Sequence, residues 1–155
     1  IGKRRFGPAA RLNLADTGCW ISPIDSDLRK IRKYMKVLII DDSSAMRMLV
    51  RRALRDAGFT DLDITEANDG AEGYKKVEET DFDLVLADWN MPNMTGIEML
   101  EKLREEGYEN TVGFITTEAT MPMKQRARDA GAAFLIPKPF TAAAFKQNLG
   151  PILDA

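Results

Sequence analysis

Residues 84–96 read LVLADWNMPNMTG: four apolar residues, one aspartate, and then a Trp, an Asn and Met91-Pro92, which turn the chain. An apolar run with no polar alternation, bounded by turn residues, is the pattern of a strand buried on both faces. Extended by Asp83 it covers 83–87, and it delivers a single carboxylate, Asp88, into a loop. Aspartate often ends a strand for no chemical purpose, because its short side chain starts turns and competes for backbone hydrogen bonds. The flanking sequence decides which kind of aspartate this is.

Upstream, KVLII (36–40) is a second short β-branched run, followed by SSAMRMLVRRALRDAG (43–58). There Met46, Leu49, Val50, Ala53, Leu54 and Ala57 share one helical face, Ser43 or Ser44 caps the start, and Gly58 ends it. A strand at about 62–66 and a helix at about 71–79 complete the upstream half. Downstream the pattern predicts a helix at 96–106, the strand TVGFIT (111–116), a helix at 121–130, a short strand at 133–136 and a helix at 141–149. Gly150-Pro151 should close or bend that last helix. Five strands alternating with five helices specify an α/β fold, a parallel sheet covered on both faces and doubly wound by right-handed crossovers. Pro137 cannot donate to a ladder, so the fifth strand belongs at an edge.

Functional groups in an open parallel sheet collect beyond the carboxyl ends of the strands. Those ends carry Asp41 and Asp42 after the first strand, Asp88 after the third, Thr116 and Thr117 at the fourth and Lys138 after the fifth. Two unit charges ~4 Å apart repel by on the order of 4 kcal/mol at an effective dielectric of 20. Three carboxylates on one rim therefore imply a cation. Lys138 supplies one charge, and the excess suits a hard divalent ion such as Mg²⁺, which takes one or two carboxylates and keeps positions for water or a phosphoryl group.

Composition narrows the chemistry. The 155 residues suit one domain with a core, with 45% hydrophobic and 30% charged residues. No apolar run approaches the ~20 residues of a membrane span. A single cysteine, Cys19, excludes an internal disulfide and fits a reducing, cytoplasmic setting. With no histidine, Ser-His-Asp and Cys-His catalysis, the common zinc sites and a phosphohistidine donor are all excluded. Residues 1–34 hold eight Lys/Arg against three Asp (net +5), and residues 36–155 hold fourteen against twenty-one Asp/Glu (net −7). The acidic body argues against nucleic acid as a direct partner. Residues 1–34 read as a basic N-terminal extension, leader or tag without a secretory core, and 35–155 as the domain. Leu28, Ile31 and Met35 stand at helical spacing in DSDLRKIRKYM, an amphipathic stretch at the junction.

Four segments, LIIDD (38–42), LADWNMPNMTG (86–96), ITTEA (115–119) and PKPFT (137–141), resemble the receiver domain of bacterial response regulators, most closely the single-domain chemotaxis regulators. The resemblance spans 36–155 and implies a flavodoxin-like sheet in the order 2-1-3-4-5. It implies that Asp88 accepts a phosphoryl group from a histidine kinase, and that Asp42, Asp88 and the Asn90 carbonyl ligate Mg²⁺ while Asp41 acts through water. Lys138 would pair with the phosphoryl oxygens, and the Thr116 hydroxyl would close onto them. Asn90 and Glu118 would set the rate of dephosphorylation, and the bond before Pro139 would be cis. Such a protein is a switch with self-catalysed phosphorylation and dephosphorylation, not an enzyme acting on other molecules. Its output is protein binding, to the flagellar motor switch or another signalling protein. One position departs from the pattern: the aromatic that swings inward in the family is Leu135 here, while Phe134 should point to the opposite face.

Other readings are weaker. The domain is also compatible with a phosphorelay intermediate or a piece of a larger regulator. DFDLV (81–85) has the spacing of an aspartyl-phosphate phosphatase, but its carboxylates precede the strand. No G-x-G-x-x-G or P-loop marks a nucleotide site.

Overall fold

The computed structural model describes residues 34–153. Residues 1–33, and with them most of the amphipathic stretch around Leu28 and Ile31, lie outside the described residues. The elements alternate as expected: β1 (Met35–Ile40), α1 (Ser44–Asp56), β2 (Leu62–Ala67), α2 (Gly70–Glu79), β3 (Leu84–Ala87), α3 (Gly96–Glu105), β4 (Thr111–Thr116), α4 (Met121–Asp129), β5 (Leu135–Pro137) and α5 (Ala142–Leu153). All strand pairs are parallel and the sheet order is β2-β1-β3-β4-β5.

Strand alternation divides the core in two. Val37 and Ile39 of β1, with Leu84 and Leu86 of β3, pack against Val50 and Leu54 of α1 and Phe145 and Leu149 of α5. Leu38 and Ile40, with Val85, Val112 and Phe114, pack against α2, α3 and α4. β1, β3 and β4 are thus buried on both faces, which is why they read as continuous apolar runs. Hydroxyl or carboxylate caps start the first four helices: Ser43, Asp69, Thr95 and Thr120 each accept a backbone N–H from the first turn.

The fifth strand lies at the edge, with Pro137 opposite Thr116. Its assigned ladder begins at Leu135, not 133, although Ala133 N–H already donates to the Val112 carbonyl at 2.8 Å. The last helix runs through Pro151 to Leu153 and does not end at Gly150. Proline removes one donor there, but Ile152 and Leu153 pack on the α1/α5 side of the core, and that burial offsets the lost bond. Phe134 and Leu135 take opposite faces, as alternation requires. Leu135 packs on the α4 side, whereas the Phe134 ring lies over Gly113, where a Cβ would stand 2.1 Å from it.

Candidate functional site

Register places the acidic groups side by side. Ile40 pairs with Ala87, so the next residues, Asp41 and Asp88, emerge together from neighbouring strands. Backbone bonds hold both: Asp88 N–H donates to the Ile40 carbonyl at 2.9 Å and Asp41 N–H to the Ala67 carbonyl at 3.2 Å. Lys138 leaves the edge strand with its N–H bonded to the Thr116 carbonyl at 2.7 Å, and its side chain crosses the end of β4. Its Nζ donates to Asp41 Oδ2 at 3.0 Å and to Asp88 Oδ2 at 3.3 Å. All three side chains are largely shielded, with exposures of 9% for Lys138, 6% for Asp41 and 13% for Asp88.

The two sequence neighbours at the end of β1 differ in what is left to them. Asp41 is buried, and its other oxygen accepts the Ser43 N–H at 2.9 Å. Asp42 is exposed. One carboxylate oxygen each from Asp41, Asp42 and Asp88 lie within 4.8 Å of one another. Burial pushes the Asp88 carboxyl above the ordinary carboxylate value; Lys138 opposes the shift and Asp41 adds to it. A hard cation held between Asp42 and Asp88 fits this donor set, because it would offset the charge that Lys138 leaves uncompensated.

The loop after Asp88 is tightly closed. Gly96 N–H donates to the Trp89 carbonyl at 2.9 Å, and a Cβ on Gly96 would stand 2.2 Å from the Asp88 carbonyl oxygen, so only glycine fits. Trp89 is buried against Phe114, ring centroids 5.2 Å apart, while Asn90 is exposed on the rim. Thr116 is fully buried, and its hydroxyl accepts the Glu118 N–H at 3.3 Å; the Glu118 side chain is exposed. The Lys138–Pro139 bond is cis.

The carboxyl edge of the sheet thus gathers Asp41, Asp42, Asp88, Thr116 and Lys138, with Asn90 and Glu118 on the flanking loops. Asp81 and Asp83 serve the opposite edge: Asp83 accepts the Lys36 N–H at 2.9 Å and Asp81 accepts the Asn110 amide at 2.7 Å. They are therefore no part of this carboxylate cluster. Sequence reasoning missed several supports. Arg47 donates to the Asp41 carbonyl and to Glu66, and Asn93 donates to Asp69 at 2.7 Å. The only signal for Arg47 was its place one turn into a helix that starts beside two aspartates.

Known proteins resemble this chain over most of its length. The sequence profile of the response regulator receiver domain matches residues 37–149. The chain is 43% identical over 126 residues to chemotaxis protein CheY-3 of Vibrio cholerae, covering 80% of this chain and 95% of that one. It is 38% identical over 122 residues to chemotaxis protein CheY of Pseudomonas aeruginosa, covering 77% and 97%. The solved structure of Vibrio cholerae CheY4 superposes with a TM-score of 0.68 at 33% identity, covering 77% of this chain and 98% of that chain. A CheY-like receiver domain from Methanospirillum hungatei superposes with a TM-score of 0.69 at 27% identity, covering 78% and 94%. With a profile match that runs from β1 into α5, on a sheet of the same order, this chain belongs to the response regulator receiver domain family.

Proposed function

We propose that this receiver is a phosphorylation switch in which Asp88 accepts a phosphoryl group from the phosphohistidine of a histidine kinase. The observation that carries the reading is the shielded Asp88 carboxylate at 3.3 Å from Lys138, beside two further aspartates on the same strand edge. In the transfer an Asp88 carboxylate oxygen forms the new P–O bond. The P–N bond of the donor breaks, and the departing imidazole takes the electron pair. Transfer of this kind needs positioning and charge neutralisation more than covalent help from the protein.

Lys138 meets both needs from one side, holding Asp88 by its Oδ2 and carrying a cation that the transferred oxygens can use. Asp42, Asp88 and the Asn90 carbonyl would hold Mg²⁺, with Asp41 reaching it through water, since Asp41 already holds Lys138 and the Ser43 N–H. When bound, the ion supplies neutralisation of the phosphoryl oxygens. Thr116 is the sensor: its hydroxyl, which accepts the Glu118 N–H, turns to donate its O–H to a phosphoryl oxygen, moving the loop after β4. Asn90 and Glu118 flank the path by which water reaches the phosphorus, and they set the lifetime of the signal.

The output is binding to a downstream protein, in the cytoplasm. The names of the CheY-3 and CheY relatives support a chemotaxis role, with the flagellar motor switch or another signalling protein as target. Among the described residues no helix is long and apolar enough to cross a membrane. The test is transfer of radiolabelled phosphate from a phosphorylated histidine-kinase fragment in the presence of Mg²⁺. Label should appear on the wild type, vanish with chelator and fail to appear on Asp88→Asn. Equal labelling of the mutant would remove Asp88 from the role.

A further inference from the structure

The loop that carries Asp88 and Asn90 ends in a strained turn whose fastening lies on another element. Met94 N–H donates to the Pro92 carbonyl at 2.8 Å, closing a three-residue turn with Asn93 at its centre and φ at 67°. Three-residue turns with a positive central φ are rare and strained, and such conformations persist only where the surroundings over-determine them. Here the surroundings are the first turn of α2. Asn93 Nδ2 donates to Asp69 Oδ2 at 2.7 Å, while Asp69 Oδ1 accepts the Glu72 N–H at 2.8 Å as the cap of α2. One carboxylate therefore serves the helix cap and the loop at once. The Glu72 N–H and then the Asn93 amide hold the Asp69 carboxyl below its ordinary value, so it stays an ionised acceptor near neutral pH. Beside it, the α2 backbone touches the loop directly: a Cβ on Gly70 would stand 2.3 Å from the Met94 carbonyl oxygen.

We propose that Asp69 and Asn93 form a positioning pair that fixes the acceptor loop on the N-terminus of α2 and so sets the Asn90 carbonyl and Asp88 for the metal and the phosphoryl group. The inference rests on the function proposed above. Neither residue touches the reacting atoms; both act through the backbone between Asp88 and Gly96. Groups that orient ligands in this way change metal affinity or activity by about 10- to 100-fold when removed.

Two substitutions separate positioning from stability. Asn93→Gly keeps a residue that tolerates positive φ and removes only the amide. Asp69→Ser keeps an oxygen able to cap Glu72 N–H and is too short to hold Asn93. Mg²⁺ affinity is measured by calorimetry, and the initial rate of Asp88 modification by a small acyl phosphate is measured alongside thermal melting. Each variant should bind Mg²⁺ about 10-fold more weakly and be modified correspondingly slowly, with melting close to wild type. The double variant should lose no more than either single one, because the two groups act as one contact. Affinity and rate within twofold of wild type in either variant, or losses that multiply in the double, would overturn the pair. Failure of the wild type itself to bind Mg²⁺ and accept phosphate at Asp88 would overturn the proposed function as well.

Discussion

Helices α3 and α4 lie on the same face of the sheet and follow the two loops that frame the site, yet they are held very differently. α3, which follows the Asp88 loop, buries Gly96, Ile97, Met99, Leu100 and Leu103. α4, which follows Thr116, buries only Ala127. Its other fastenings are the partly buried Met123, which packs on the core, and two contacts near its C-terminal end, where Arg126 pairs with Glu101 at 2.6 Å and Arg104 donates to the Gly131 carbonyl at 3.1 Å. Its first residue, Met121, is 70% exposed. Few buried apolar contacts mark a segment that opens or shifts at low cost. For the proposed switch this contrast would divide the labour: the firmly packed side would present Asp88, and the loosely packed side next to Thr116 would respond.

The comparison breaks most visibly in stability. Leu100→Ala, in the packed face of α3, should cost about 3 kcal/mol in urea unfolding. Met121→Ala should change stability by less than about 0.5 kcal/mol. Similar losses in the two variants would mean that α4 is as firmly packed as α3.

Charge at the site comes next. Mg²⁺ at 100 times its Kd should stabilise the wild type by about 2.7 kcal/mol, and Asp42→Asn should abolish most of that gain. Because burial raises the Asp88 carboxyl, its contribution to stability is present below the ordinary value of 3.8 and is lost as pH rises through the higher folded value. At neutral pH without metal the ionised group is therefore a cost. Asp88→Asn should raise stability there by on the order of 1 kcal/mol, given the high effective dielectric and the nearby Lys138. The gain should fade as pH falls toward 3.8. Melting curves across pH check both sign and window, and a mutant less stable than wild type at neutral pH would contradict the assignment.

Much of this site was legible before the fold was known, because strand ends are marked by where apolar runs stop. Asp41, Asp88, Thr116 and Lys138 each sit at such a stop, and parallel topology brings all the stops to one edge. The opposite facing of Phe134 and Leu135 followed from strand periodicity alone. What periodicity does not carry was missed. The bond from Asn93 to Asp69 joins residues 24 apart through two loops, and neither residue repeats at any spacing. The path of α5 beyond Gly150 was misread because Pro151 is a strong local stop, while the burial of Ile152 and Leu153 that overrides it is tertiary. Arg47 carries no local mark in the sequence, since only the fold shows that its side chain is 12% exposed and paired with Glu66.

The smallest expected effect concerns Leu135, which packs beside α4 where the family places a mobile aromatic. Leucine offers less area and no polar tip, so its alternative positions differ little in energy. Leu135→Ala should leave the phosphoryl-dependent change in α4 within about twofold of wild type, or about 0.4 kcal/mol. Leu135→Tyr should enlarge it. Loss of the response in Leu135→Ala, with Asp88 still modifiable, would make Leu135 a gate.

A phosphoryl group on Asp88 should be read through α4 while α3 stays fixed, and hydrogen exchange tests this most directly. The wild type and Asp88→Asn are compared with and without beryllium fluoride and Mg²⁺, a stable stand-in for the aspartyl phosphate. In the wild type, exchange over residues 117–129 should change several-fold while residues 97–105 stay unaltered, and Asp88→Asn should show neither change. A response confined to residues 97–105, or one that persists in Asp88→Asn, would contradict it.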